Sequence, residues 1–361
     1  MVTDALWTDY DNNGSIDLMI AGEFMPITIF QNNTSNFVQL KQTGIDSLSG
    51  WWNSLAGGDF DNDGDIDYVA GNLGMNNIYH ATRQLPLKIF AKDFDGNGSV
   101  DPLLACYMRV SMESDVKKLY PIHFWDELNS QSPKFRQKYL SYRQYGDETI
   151  FDVLTPDDLK DALVLDANCM ESSYIENLGG GKFASKPLPT LAQLAPVNGM
   201  IVSDINHDNN LDLILVGNDY GNEVFVGRYD ASIGSVLIGD GKGGFEIVSP
   251  SKTGFYVAGD AKSLVKLYAS NGNEIFIASQ NRDSLRAFVR SADKVPVHSL
   301  TSGDRWADVE FTDGRKQRVE FYFGSGYLSQ STRKFTLPVS VKEFVVHDAK
   351  GGSRKISNEG I

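Results

Sequence analysis

The stretch that most constrains this chain covers residues 59–67, where every second position is an aspartate and one glycine lies inside the run. Carboxylates this crowded repel one another, because two unit charges ~4 Å apart cost roughly 4 kcal/mol at an effective dielectric of about 20. A bound hard cation removes that cost, and Ca²⁺ accepts about six to eight oxygen ligands in irregular geometry. Gly64 permits the sharp turn that such a loop needs. The predicted ligands are the side chains of Asp59, Asp61, Asp63 and Asp67 and the backbone carbonyl of Asp65.

The same spacing recurs over residues 9–17, 93–101 and 204–212, with oxygen-bearing side chains at loop positions 1, 3, 5 and 9. One copy is compatible with an acidic turn on a solvated surface, but four copies in phase favour metal binding. The sequence therefore predicts about four calcium ions, and the tightest at 59–67 because that loop carries the most carboxylates. The further predicted ligands are Asp9, Asp11, Asn13, Ser15, Asp17, Asp93, Asp95, Asn97, Ser99, Asp101, Asp204, Asn206, Asp208, Asn210 and Asp212.

Each loop is followed by a short apolar run, such as residues 18–21 and 213–216. These runs do not alternate with polar residues, so they predict strands buried on both faces. An EF-hand would need flanking helices and a glutamate at loop position 12. The twelfth positions here are Ile20, Ala70, Leu104 and Leu215, which excludes the EF-hand and the paired-helix dockerin.

A loop followed by a strand, repeated at irregular spacing, resembles the FG-GAP (or VCBS) repeat of calcium-binding β-propellers. The glycine-rich stretches at 177–183 and 239–245 resemble the hairpin turn that closes such a repeat. The resemblance implies an all-β fold, with a calcium-bearing β-propeller of about six to seven blades over residues 1–298.

The visible repeats predict blades at about 1–48, 49–85, 87 onwards, 151–195, 196–250 and 254–295. In the fourth blade Val153, Thr155 and Asp157 stand at the ligand positions, and in the sixth Lys262 and Lys266 stand there. We expect neither of these two blades to bind calcium.

Residues 107–150 interrupt the third blade and predict a helical insertion over one face or side of the propeller. Phe135, Tyr139 and Tyr142 share one helical face at spacings of four and three. The basic residues of the insertion form either a solvated face, which we favour, or a contact for an anionic ligand: Arg136, Lys138 and Arg143.

Residues 299–361 change character, since 306–311 and 318–323 alternate as half-exposed strands do. Together with the run 324–330, this segment resembles the small ASPIC/UnbV β domain that ends many FG-GAP proteins of bacteria and the cartilage acidic protein family. The resemblance implies that the chain is the C-terminal part of a longer protein of that kind.

The formal net charge of −14 argues against nucleic acid as a partner, because nucleic-acid binders present basic patches. No apolar run reaches the length of about 18 residues that a transmembrane helix requires. The first residues lack the pattern of a signal peptide, so we expect an extracellular or cell-surface protein whose signal peptide lies outside this chain. The two cysteines, Cys106 and Cys169, can pair or remain free thiols.

No zinc-protease motif, nucleophile elbow or phosphate loop occurs in the sequence. We therefore expect no enzyme, but a calcium-stabilised extracellular binding or adhesion module that recognises a protein or a surface glycan. The alternative is a carbohydrate-active enzyme, a polysaccharide lyase on a calcium propeller, with Lys, Tyr or His as its base. Binding without product on glycan and lyase panels would support the first reading, and unsaturated product the second.

The ligand-binding face is expected opposite the calcium loops. Five residues of strand span about 16 Å, so the residues that follow each strand emerge at the far end. The alternative is a purely structural role, in which these residues form turns or pack between blades. The predicted ligand-binding residues are Trp51, Trp52, Asn72, Asn76, Asn218, Asp219 and Tyr220.

Overall fold

The computed structural model describes residues 1–290, 296–324, 326–327 and 329–357. It consists mainly of antiparallel strands, which confirms the all-β prediction. The first sheet has the order β1-β2-β3-β4, and loop 9–17 joins its first two strands as a hairpin loop. Its strands are β1 (Val2–Thr8), β2 (Asp17–Pro26), β3 (Thr28–Asn32), β4 (Phe37–Gln39) and β5 (Ser49–Trp51), which pairs with the far end of β2.

The second sheet begins as a hairpin around loop 59–67, between β6 (Ser54–Gly58) and β7 (Asp67–Gly71). Every residue of β7 is buried, as expected of a strand covered on both faces. The chain then leaves this sheet and builds another one before it returns.

The inserted sheet has the order β10-β9-β8-β11, and loop 93–101 joins β8 to β9. Five short helices lie between β10 and β11 and cover one side of this sheet, with Leu128, Phe135 and Ile150 fully buried against it. Its elements are β8 (Leu87–Lys92), β9 (Asp101–Arg109), β10 (Lys117–Pro121), α1 (Trp125–Gln131), α2 (Pro133–Lys138), α3 (Tyr142–Tyr145), α4 (Ile150–Val153), α5 (Pro156–Leu159) and β11 (Leu163–Ala167).

The structure of this insertion corrects three predictions. The helices do not fill 107–150: residues 107–121 continue β9 and form β10, and helix extends to Leu159. The face predicted to be shared by three aromatic residues is buried at Phe135 and Tyr139 but 54% exposed at Tyr142. Thr155 is the N-cap of α5 and accepts the Asp158 amide, so 151–157 is helical rather than a calcium loop that lost its ligands.

The second sheet is completed by β12 (Ser173–Asn177), which pairs with β7, and by β13 (Phe183–Pro187). The predicted fourth blade at 151–195 is therefore wrong. Its first strand, β11, pairs with β8, whereas β12 and β13 belong with residues 54–71. Residues 177–183 do form the predicted hairpin turn, here between β12 and β13.

The third sheet matches the predicted blade at 196–250, with loop 204–212 between its first two strands and residues 239–245 turning between its last two. It follows a 3-10 turn, Thr190–Gln193, and comprises β14 (Val197–Ser203), β15 (Asp212–Gly217), β16 (Ser235–Gly239) and β17 (Phe245–Val248). After α6 (Pro250–Thr253), the fourth sheet has three strands, β18 (Ala261–Tyr268), β19 (Glu274–Gln280) and β20 (Arg286–Arg290).

The four sheets stand side by side, because β1 lies against β6, β6 against β14, and β14 against β18. A propeller would place its blades side by side in this way, but the propeller, its closure and its blade count stay predictions. None of the described helices has the length and apolar character that crossing a membrane would take.

The C-terminal sheet has the order β23-β22-β25-β26, and a separate pair of strands, β21 and β24, lies beside its core. Strand β23 is an edge strand of this sheet. The elements are β21 (Val297–Ser299), β22 (Asp304–Phe311), β23 (Lys316–Glu320), β24 (Lys334–Thr336), β25 (Val341–Asp348) and β26 (Ser353–Ile356). Part of the run 324–330 that carries the ASPIC/UnbV resemblance, residues 325 and 328, lies outside the described residues.

Candidate metal centre

The four predicted metal loops share one backbone conformation. In each loop the fourth and the sixth residue have positive φ, a region that favours glycine and tolerates asparagine. The fourth residues are Asn12 (57°), Asn62 (62°), Gly96 (77°) and His207 (65°), and the sixth residues are Gly14 (85°), Gly64 (95°), Gly98 (88°) and Asn209 (67°).

The first aspartate of every loop is fixed by the loop's own backbone. Its Oδ2 accepts the amide of the sixth residue, at 2.9 Å for Asp9, 3.2 Å for Asp59, 2.8 Å for Asp93 and 3.0 Å for Asp204. The amide of the seventh residue donates to the fifth side chain, as Asp65 does to Asp63 Oδ1 at 3.0 Å. These bonds turn the side chains inward and around a common centre.

In three loops the carboxylates converge closely enough to share an ion. One oxygen from each of three aspartates lies within 4.8 Å of the others. Among the described residues the loop at 204–212 does not form such a carboxylate triad, and there Asn206 Nδ2 donates to Asp208 Oδ2 at 2.9 Å. The triads are Asp9, Asp11 and Asp17; Asp59, Asp61 and Asp63; and Asp93, Asp95 and Asp101.

The aspartates of loop 59–67 have raised pKa values. Burial raises the pKa of Asp59 and of Asp67 to about 7. Burial and then the charge of Asp63 raise the pKa of Asp65 to about 8. Burial also raises the pKa of Asp17 and of Asp212 to about 6. Carboxyl groups in this state gain from a nearby positive charge, which a divalent ion supplies.

Two buried carboxylate oxygens, Asp17 Oδ2 and Asp65 Oδ1, have no hydrogen-bond partner of normal geometry in the described part of the chain. A buried charged oxygen without a partner is costly. The donor set in all four loops is oxygen from carboxylate, amide, hydroxyl and backbone, which suits a hard cation and Ca²⁺ in particular. The residues present therefore fit the predicted metal, and its binding stays a prediction.

The last aspartate of loop 59–67 is held by a strand that the sequence did not place there. Tyr174 Oη donates to Asp67 Oδ2 at 2.7 Å, and the Asn177 amide donates to Asp67 Oδ1 at 2.8 Å. Both donors lie on β12, about a hundred residues later in the chain, so no local pattern indicates them. Equivalent bonds join Asn32 to Asp17 and Gly239 to Asp212.

The prediction that Lys262 and Lys266 stand at ligand positions is wrong, because both lie within β18 and the loop that joins β18 to β19 covers residues 269–273. Lys266 and Arg290 both form ion pairs with the buried Glu274. Lys262 pairs with Asp260 at 2.7 Å. These ion pairs neutralise the acidic side chains of the sheet, which agrees with the prediction that it binds no calcium; that prediction is untested.

The predicted ligand face needs correction, because Trp52, Asn72 and Asn218 are 0% exposed. Asn72 Oδ1 accepts the Trp51 amide at 3.0 Å, and its Nδ2 donates to the carbonyl of Cys169 at 2.9 Å. Asn218 similarly bridges Ser232, Ala258 and Gly259. These side chains join neighbouring segments and cannot stack on a ligand.

The other predicted ligand residues are at least partly accessible. Trp51 stacks on Tyr79 with ring centroids 5.9 Å apart, Asp219 and Tyr220 are half-buried, and Asn76 is exposed. A cavity of about 330 Å³ opens at this end of β7, and no pattern in the sequence predicts it. Its lining combines apolar Met75 and Met170 with the charged Arg83 and Glu171.

Comparison with known proteins supports the repeat at the loops. A family profile described as an FG-GAP-like repeat matches residues 9–70, which span the first two metal loops. No curated protein matches the chain. Among solved structures, the crystal structure of the V. cholerae biofilm matrix protein Bap1 is similar at 12% identity and a TM-score of 0.21, over 97% of this chain and 54% of that one. The chain thus spans about half the length of that protein.

Proposed function

We propose that this chain is a calcium-stabilised extracellular binding module that recognises a protein or a surface glycan. The observation that carries the proposal is loop 59–67, which has five aspartates within nine residues. Three of them converge, and one buried oxygen has no partner among the described residues. The FG-GAP-like repeat over residues 9–70 supports the same reading.

The role of the metal in this proposal is structural. Each loop joins two neighbouring strands of a sheet. In loops 9–17, 59–67 and 204–212 the last aspartate also accepts a backbone amide from a further strand of that sheet. An ion bound there would hold the strand ends together and would stabilise the folded state only, because the unfolded chain does not present the ligands together. Extracellular calcium modules bind with Kd of roughly 0.1–1 mM, which suits a protein outside the cell.

The ligand site in this proposal is the cavity beside the end of β7. Of the residues predicted from the sequence, Asn76 stays accessible, and its neighbour Met75 lines the cavity. Apolar side chains together with one residue of each charge provide apolar contact and polar orientation of a ligand, as ligand pockets commonly do. Asn72 fixes two segments of the cavity wall to each other, because its Nδ2 donates to the carbonyls of Cys169 and Glu171.

The first experiment is a calcium titration by isothermal calorimetry on the whole chain. The protein is first freed of bound metal with EDTA and transferred to calcium-free buffer. We then expect calcium to bind at about four sites. A flat titration would refute the metal part of the proposal.

The second experiment applies the protein to glycan and protein arrays and to a panel of lyase substrates, with calcium present. We expect a bound ligand and no unsaturated product. Arg83→Ala should weaken binding of that ligand roughly tenfold, since a charge inside the cavity is lost. Lys350→Ala, which removes an exposed charge from the C-terminal sheet, is the matched control. Equal affinities in both variants would place the ligand elsewhere, and release of product would favour the enzyme.

A further inference from the structure

The C-terminal sheet contacts three of the metal loops, and one residue of its edge strand, Arg318, contacts two of them. At loop 204–212 the contacts come from the turn before β23, where Arg315 donates to Asn210 Oδ1 at 2.9 Å, and from the Ser340 hydroxyl, which donates to Asn209 Oδ1.

The guanidinium of Arg318 pairs with Asp9 Oδ2 at 2.8 Å, and the backbone amide of Arg318 donates to Asp59 Oδ2 at 3.0 Å. Asp9 and Asp59 are the first ligand positions of loops 9–17 and 59–67. Arg318 thus contacts the same functional position in two neighbouring loops.

The neighbours of Arg318 on β23 add contacts to the same loops. Gln317 Nε2 donates to the Asp59 carbonyl at 3.3 Å and to Asn62 Oδ1 at 3.2 Å. Glu320 accepts the Asp9 amide at 2.8 Å through Oε1. The edge of β23 is therefore covered by metal loops, in the way that sheet edges are commonly protected.

These contacts depend on the wrapped conformation of the loops. Asn62 has a φ of 62°, and Asp59 is 0% exposed with its carboxylate held by the Gly64 amide. Without a cation, repulsion among the aspartates favours opening of the loop. An open loop would separate Arg318, which is 9% exposed, from both of its acidic partners. A buried charge that loses its partner is strongly unfavourable.

The charges at loop 9–17 are also complementary. Its three aspartates carry three negative charges, of which a divalent ion offsets two and Arg318 the third. The guanidinium is fixed from its other side, because it lies over the Trp306 ring at 4.9 Å.

We propose that calcium at loops 9–17 and 59–67 and docking of the C-terminal sheet strengthen each other, with Arg318 as the positioning residue that links them. This inference rests on the calcium binding proposed above. Mutual coupling means that calcium tightens the docking and that docking tightens calcium binding by the same factor.

Loop 93–101 is an internal control. It carries the same triad of carboxylates, but its side chains contact the insertion: the Ser132 hydroxyl donates to Asp95 at 3.2 Å, and the Phe94 ring packs against Phe135. Among the described residues, the hydrogen bonds of β23 to metal loops are with loops 9–17 and 59–67. Calcium at loop 93–101 should therefore have no effect on the C-terminal sheet.

The docking is measured by hydrogen exchange resolved to single amides, on the whole chain with calcium and with EDTA. The Arg318 amide, which faces Asp59, reports docking. The Phe321 amide donates to the Arg305 carbonyl and reports integrity of the sheet itself. We expect EDTA to speed exchange at Arg318 about fivefold or more, a usual coupling, with little change at Phe321. Asp61→Ala should reproduce this in calcium, whereas the matched Asp95→Ala should not.

The reciprocal effect is measured by calcium titration of folded variants. Arg318→Met should lower affinity at two sites by about fivefold or more and leave the remaining sites unchanged. Lys316→Met loses the same charge from an exposed position of the same strand and should have no effect. Arg318→Lys should restore part of the loss, since it keeps the charge.

The outcomes separate the two proposals. If the wild-type protein binds calcium but Arg318 exchange ignores it, the coupling is wrong and the calcium proposal stands. If Arg318→Met binds calcium more tightly, the guanidinium competes with the ion and the sign of the coupling is wrong. If the wild-type protein binds no calcium, both proposals fail.

Discussion

At the scale of the residue, the aspartates of loop 59–67 divide into those that hold the loop and those that face its centre. Asp59 and Asp67 each accept three hydrogen bonds from residues outside or within the loop, whereas Asp61 accepts one, of 3.3 Å, from the Asp63 amide. Asp61 therefore contributes more to a bound cation than to the loop's own conformation.

Asp61→Ala should remove most of the calcium-dependent stability that loop 59–67 provides, because it deletes a ligand and only one long hydrogen bond of the loop itself. Thermal unfolding with and without calcium measures this effect. Asp157→Ala is the control, since that aspartate is exposed on α5. The claim would be contradicted by an equal calcium-dependent shift in melting temperature for Asp61→Ala and the wild type.

Asn72 gives a second prediction at this scale. Asn72→Ala leaves the Trp51 amide and the Cys169 carbonyl without their partner. A buried group left unsatisfied costs about 1–3 kcal/mol. Asn76→Ala, at an exposed position, should change the free energy of unfolding by less than about 0.5 kcal/mol. Urea unfolding measures both, and similar values for the two variants would exclude a bridging role for Asn72.

At the scale of the element, the loops could be predicted and the sheet membership could not. A metal loop is specified within nine residues, so its spacing alone indicated the shared conformation that all four loops adopt. The pairing of β7 with β12 joins residues about a hundred positions apart, and no local pattern carries it. The contacts of Arg318 with the loops were missed for the same reason, as were the apolar residues around the cavity.

The insertion should be removable as a unit, because Ala70 of β7 and Ser173 of β12 are direct partners in the sheet. We expect a chain in which a short glycine-rich turn replaces residues 73–171 to stay folded. It should bind about three calcium ions rather than four, since loop 93–101 leaves with the insertion. Circular dichroism checks the fold and calcium titration counts the sites. An unfolded product would show that the second sheet needs the insertion for its stability.

At the scale of the whole molecule, calcium should act on stability through all loops together. Each ion that binds the folded state alone adds about 2.7 kcal/mol when its concentration is a hundred times Kd. EDTA should therefore lower the melting temperature by several degrees or more, and readdition of calcium should restore it. Magnesium at equal concentration is the control, because it dehydrates reluctantly and demands stricter geometry. An unchanged melting curve in EDTA would remove the structural role of the metal.

The split of the second sheet also sets an order of events during synthesis. Strand β7 leaves the ribosome long before β12, and at ~5–20 residues per second the hundred intervening residues take roughly 5–20 s. During that interval β7 has no pairing partner on the side that β12 later occupies, and Asp67 does not yet accept its hydrogen bonds from Tyr174 and Asn177. The inserted sheet has time to fold first, and its completion brings β12 to the waiting hairpin. Loop 59–67 is thus the second of the four loops to be translated, but it would be among the last to reach its final form.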